Sequence, residues 1–145
     1  MTNTPDSLSV LIVDEEPEVL AFFARILDLN NIRALLARSS SEAISIAKRG
    51  YVPIDLVLSN VMLRPDPDAP GMTSASQLVD HLSQLRPRLR ALYMSARIEA
   101  EVIRIELMDR GLHHMSKNSD HRGLIDAIRG AASESAPLVR HAGGN

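Results

Sequence analysis

Apolar runs of strand length alternate with stretches of helical periodicity from Leu8 to about Ala132, and that alternation leaves few folds open to the chain. Leu8–Val13 (LSVLIV) reads as a buried strand stopped by Asp14-Glu15-Glu16-Pro17, and Pro17 suits the first turn of a helix. Val19, Leu20, Phe23, Ile26 and Leu27 then recur at helical spacing through Asn30, and Ile32–Ala37 forms a second strand. Ser39 and Glu42 predict a capping box, opening a helix through Ile44 and Ala47 that Gly50 closes. Ile54–Ser59, ended by Asn60, is the most continuously apolar strand, as a parallel strand covered on both faces should be. Val61–Met72 holds three prolines and a glycine and reads as a loop. Ser74 and Gln77 cap the next helix, with Leu78, Leu82 and Leu85 as its stripe and Pro87 as its stop. Leu89–Ser95 is a fourth strand, Ile98–Arg110 a helix ended by Gly111, and Leu112–Ser116 a short fifth strand. Asn118 or Ser119 caps a last helix through Leu124, Ile125 and Ile128.

Five strands alternating with five helices predict an α/β fold: one five-stranded parallel sheet, doubly wound, with helices on both faces. Residues 1–7 are expected to be a disordered tail, 8–132 one domain and 133–145 a flexible tail. The absence of cysteine excludes disulfides, thiolate metal sites and thiol nucleophiles. A formal charge of −2 gives no pull toward nucleic acid or anionic membrane. No apolar stretch approaches the roughly 20 residues that span a bilayer, and Met1–Ser7 does not resemble a secretion signal, so the expected compartment is cytoplasmic.

In doubly wound sheets ligands bind at the carboxyl ends of the strands. Those ends carry Asp14 and Glu15, Asn60, Ser95, and Lys117. Adjacent acids suit a hard cation such as Mg²⁺, while a lysine and a serine hydroxyl suit phosphoryl oxygens. Asn60 breaks the pattern, because a carboxamide has no anionic oxygen to attack phosphorus and brings no charge to a metal.

The runs LIVDEEPEV (Leu11–Val19), DLVLSNVML (Asp55–Leu63), LYMSAR (Leu92–Arg97) and HHMSK ending at Lys117 together resemble the receiver domain of two-component response regulators. The resemblance spans Leu8 to about Ala132 and implies a flavodoxin-like (βα)5 receiver fold. It implies that Asp14 and Glu15 are the metal-binding acids and that Met62 offers a backbone carbonyl to Mg²⁺. Ser95 corresponds to the hydroxyl that reorients on phosphorylation, Lys117 to the lysine on the phosphoryl group, and Asn60 to the phosphoacceptor position. The departures gather at this edge. Asn60 replaces the acceptor aspartate, Glu15 a more usual aspartate, His114 the switch aromatic, and Asn118 a common proline. The loop after Asn60 reaches its glycine late, as if about three residues were inserted.

These departures imply an atypical stand-alone receiver, not an enzyme, that is not phosphorylated at the usual site and acts through protein–protein contact. Its Mg²⁺ site is weakened. The implied partner is a histidine kinase or downstream effector, bound through the last two helices and the fifth strand; a homodimer stays open, and neither nucleic acid nor membrane is implied. Two other functions remain open: a phosphorylatable receiver, with Asn60 an engineered substitution or another acceptor in use, and a small flavodoxin-like enzyme or cofactor carrier. The latter lacks a Gly-rich phosphate loop. Simpler roles also stay open: Asp14 and Glu15 at a helix N-terminus, Asn60 as a hydrogen-bonding strand end, and Ser95 and Lys117 at the surface. Alternation turns Ser59 away from Asn60, and Asp66 and Asp68 are read as keeping a long loop solvated.

Overall fold

A computed structural model describes residues 8–50, 52–60, 63–95, 113–116 and 121–133 of the 145-residue chain. In chain order the elements are β1 (Ser9–Val13), α1 (Pro17–Leu29), β2 (Arg33–Ala37), α2 (Ser40–Lys48), β3 (Leu56–Asn60), α3 (Ala75–Leu85), β4 (Arg90–Ser95), β5 (His113–Ser116) and α4 (His121–Ala132). The five strands form one parallel sheet in the order β2-β1-β3-β4-β5, the doubly wound arrangement that the alternation predicts. The described residues include four helices. The expected helix Ile98–Arg110 and the caps Asn118 and Ser119 lie outside the described residues, as do residues 1–7 and 134–145 of the expected tails. No helix among the described residues is long and apolar enough to cross a membrane.

The strands read as unbroken apolar runs because helices cover both faces of the sheet. Val10, Ile12, Leu56, Leu58, Leu92 and Met94 pack with Leu20, Phe23 and Leu27 of α1 and Leu124 and Ile128 of α4. The intervening residues Leu11, Val13, Val57, Ala91 and Tyr93 pack with Ala43 and Ala47 of α2 and Leu78 and Leu82 of α3. Period-two alternation thus sorts each strand into two cores.

Helix ends follow local rules in part. Pro17 opens α1, and Asn31, with φ of 60°, takes the left-handed conformation just past its end. At α3 the Ser74–Gln77 capping box is complete. At α2 only half of the expected box forms. The Glu42 N–H donates to Ser39 Oγ, but the Glu42 carboxylate reaches one residue further back and accepts the Arg38 N–H at 2.7 Å. Gly50 does not close α2 in a left-handed turn. The Arg86 guanidinium does that work, donating to the carbonyls of Ala47 (3.0 Å) and Arg49 (2.9 Å). Arg129 of α4 likewise donates to the Asn30 carbonyl beyond α1, and the Arg33 N–H donates to Leu8, gathering both ends of the described fold at one pole of the sheet.

Candidate functional site

The sheet register places the strand-end residues on one edge. Val13 pairs with Ser59, so Asp14 and Asn60 stand level one step beyond. The Asp14 N–H extends the β1–β2 ladder by donating to the Ala37 carbonyl at 3.1 Å. Asn60 pairs with Met94, and Ser95 follows at the end of β4, opposite Ser116. His114 occupies β5 opposite Tyr93. Lys117 and Met62 lie outside the described residues. Asp14, Asn60 and the end of β4 therefore meet where the sequence predicts a site.

Asp14 and Asn60 share the parity of Ile12 and Leu58, whose side chains meet α1 and α4. Asp14 is 1% exposed and Asn60 9%. The Glu16 N–H donates to Asp14 Oδ1 at 2.9 Å, fixing the turn into α1. That contact gives Asp14 the helix-start duty considered from sequence, alongside its place at the edge. Ser59 is fully buried, and its hydroxyl donates to the Asn60 carbonyl at 3.0 Å. Its parity is that of Val57, on the opposite face of the sheet from Asn60.

Glu15 does not join Asp14 in one open carboxylate pair. Its Oε2 lies 3.4 Å from Arg64 Nε, in the loop that follows β3, with the glutamate side chain 27% exposed and the arginine 76%. This contact has no local sequence signal, since the residues are far apart in the chain.

The loop is also more structured than its prolines and acids predict. Asp66 is not merely solvating. Its Oδ2 accepts the Ser41 N–H at the start of α2 (2.9 Å), and its Oδ1 accepts the Asp68 N–H (3.0 Å). Hydrogen bonds from the backbone and side chain of Ser41, then from the Asp68 N–H, hold the Asp66 carboxyl below the ordinary aspartate value. Asp68 itself is exposed, in keeping with a solvating role. Gly71, with φ of 90°, lets the chain turn back toward α3, and the Leu63 N–H closes the loop base on the Thr73 carbonyl. Between the end of β1, the start of α2 and this loop lies a cleft of about 340 Å³ lined by Glu15, Arg38, Ser40, Arg64 and Asp66.

The described donors fit Mg²⁺ poorly. The ion favours octahedral oxygen ligation with one or two carboxylates. Here one Asp14 oxygen is committed to a backbone N–H, Glu15 faces a guanidinium, and Asn60 is neutral. Among the described residues no cluster of three or more His, Asp or Glu side chains is placed to hold a metal.

No protein-family model and no curated protein sequence matches the chain. Solved structures do match. A response regulator receiver domain from Clostridium thermocellum is 21% identical, with a TM-score of 0.68 over 86% of this chain and 94% of that one. A CheY-like receiver domain from Methanospirillum hungatei is 20% identical, with a TM-score of 0.68 over 88% and 94%. The non-phosphorylated HemR receiver domain from Leptospira biflexa is 18% identical, with a TM-score of 0.69 over 90% and 98%. The chain therefore has the flavodoxin-like fold of response regulator receiver domains.

Proposed function

We propose that this chain is an atypical receiver module of two-component signalling that is not phosphorylated at the usual position and acts by binding another protein. Asn60 carries the reading. It ends the central strand of a receiver fold, level with Asp14, where the chemistry calls for a carboxylate nucleophile. An amide there removes the attacking oxygen and one of three negative charges. At about 4 Å each charge–charge interaction is worth from about 1 kcal/mol in water to about 4 kcal/mol at an effective dielectric of 20. Weakened Mg²⁺ binding follows from the same loss; the expected metal contacts are Asp14, Glu15 and the Met62 backbone carbonyl, with Ser95 and Lys117 expected on a phosphoryl group.

The proposed partner is a histidine kinase or a downstream effector, met by α4, β5 and the segment before β5, in the cytoplasm. Neither catalysis nor nucleic-acid binding is part of the reading. The burial of Ser59 on the opposite face disfavours it as a substitute acceptor.

The test is intact mass after incubation with acetyl phosphate and Mg²⁺, for the protein and for Asn60→Asp. The expected result is no added phosphoryl group on the former and one on the latter. A phosphoryl group on the unaltered protein would sink the proposal. Failure of Asn60→Asp to gain one would show that the rest of the edge has also lost the chemistry.

A further inference from the structure

The start of α2 already holds an anion. Ser39 caps the helix, and the Ser41 N–H donates to Asp66 Oδ2 at 2.9 Å across 25 residues of chain. The Ser41 and Ser39 hydroxyls add hydrogen bonds that help to keep the Asp66 carboxyl charged. The positive end of the helix dipole favours negative charge at this place. One donor is left over. Ser40, the first residue of α2, lines the same cleft and is 2% exposed, yet its hydroxyl has no hydrogen-bond partner among the described residues. A buried hydroxyl in that state is costly, and it is a donor still open to a ligand. Arg38 and Arg64 also line the cleft. Of the other carboxylates there, Glu42 accepts the Arg38 N–H and Glu15 faces Arg64, which offsets their repulsion of an entering anion.

We propose that the start of α2 is an oxyanion seat, held at rest by Asp66 as a tethered internal ligand, and that it takes phosphate or a phosphate monoester in exchange for Asp66. Asp66 uses the seat only in part. Its Oδ2 serves Ser41, while its Oδ1 is committed to the Asp68 N–H in its own loop. A phosphate brings three acceptor oxygens to the Ser41 N–H and to the hydroxyls of Ser39, Ser40 and Ser41, with the Arg38 guanidinium at the rim. Asp66 prevails at rest because it is on the chain, and a short tether gives it an effective concentration in the millimolar range or above. Neither Asp14 nor Asn60 lines this cleft, and binding there transfers no phosphoryl group. The seat and the proposed function therefore fail separately.

The test follows the Ser41 amide in ¹H–¹⁵N spectra of the full chain during titration with inorganic phosphate and, separately, glycerol 3-phosphate. Ionic strength is held constant, and chloride is the control. In Asp66→Ala the Ser41 resonance should move saturably, with binding about five- to tenfold tighter than in the unaltered protein, because the tethered competitor is gone. Asp66→Asn keeps an oxygen for the Ser41 N–H but loses the charge, so it should fall between the two. Adding Ser40→Ala to Asp66→Ala should weaken binding by about tenfold, the scale of one hydrogen bond to a charged group. Arg38→Ala in the same background should weaken it by less. A response to inorganic phosphate alone assigns the seat to the free ion, and a response to both ligands assigns it to a monoester as well. The proposal is overturned by no saturable movement of Ser41 in either Asp66 variant, by an equal response to chloride, or by affinity that ignores Asp66 or Ser40.

Discussion

A carboxamide and a carboxylate have nearly the same shape, so Asn60 can end β3 without disturbing the strand pairing around it. What differs is charge. Asn60 is almost buried and level with Asp14, so Asn60→Asp should lower stability by about 1 kcal/mol at neutral pH, read as a shift in the urea midpoint. No change or a gain would mean that the added charge finds a compensating cation.

Asp66 makes the complementary case among single side chains. Its carboxyl is held below the ordinary value, so its contribution to stability is present above that value, near pH 4, and is lost as pH falls through the folded-state value. Asp66→Asn should therefore flatten the acid side of a plot of thermal midpoint against pH, with the two proteins converging once the pH has fallen through the lowered folded-state value. Parallel curves over the whole range would contradict the proposed hydrogen bonds to Ser41 and Asp68.

At the scale of elements, signals confined to one turn were legible and contacts between distant segments were not. Ser74 and Gln77 sit three residues apart and form the full box that their spacing predicts. Glu42 has the same spacing from Ser39 and its N–H bonds the Ser39 hydroxyl, but its carboxylate accepts the Arg38 N–H instead of completing the box. Gly50 looked like the stop of α2, yet Arg86, at the other end of α3, satisfies the open carbonyls. Such a contact depends on how α2 and α3 pack, which no local pattern encodes. Arg86→Ala should cost about 1.5–3 kcal/mol, the scale of hydrogen bonds to charged groups, measured by chemical denaturation. Ser74→Ala should cost about 1 kcal/mol.

The same division holds for the site. The strand ends were legible because period-two alternation and the crossover rule place Asp14, Asn60 and Ser95 together. The pairing of Glu15 with Arg64 and the anchoring of Asp66 to Ser41 were not, since both depend on where a long loop settles.

Over the whole molecule, the sheet divides one hydrophobic core into two, each sealed by a different pair of helices among the described residues. Leu58 and Leu78 are both fully buried, one in each core. Truncating either to alanine should cost about 2–5 kcal/mol. A single cooperative transition for both variants is expected, because the strands are shared by the two cores. Separate transitions would show that one face melts alone.

The Arg129 contact with Asn30 has a practical consequence for experiment. α1 and α4 both run back from the strand-end edge, so their C-terminal ends and the start of β1 lie together at the far pole. A purification tag, fluorophore or surface tether attached at either end of the fold starts away from Asn60. Immobilising the protein through such a handle leaves the edge facing solution, which suits surface-based screening for whatever docks there.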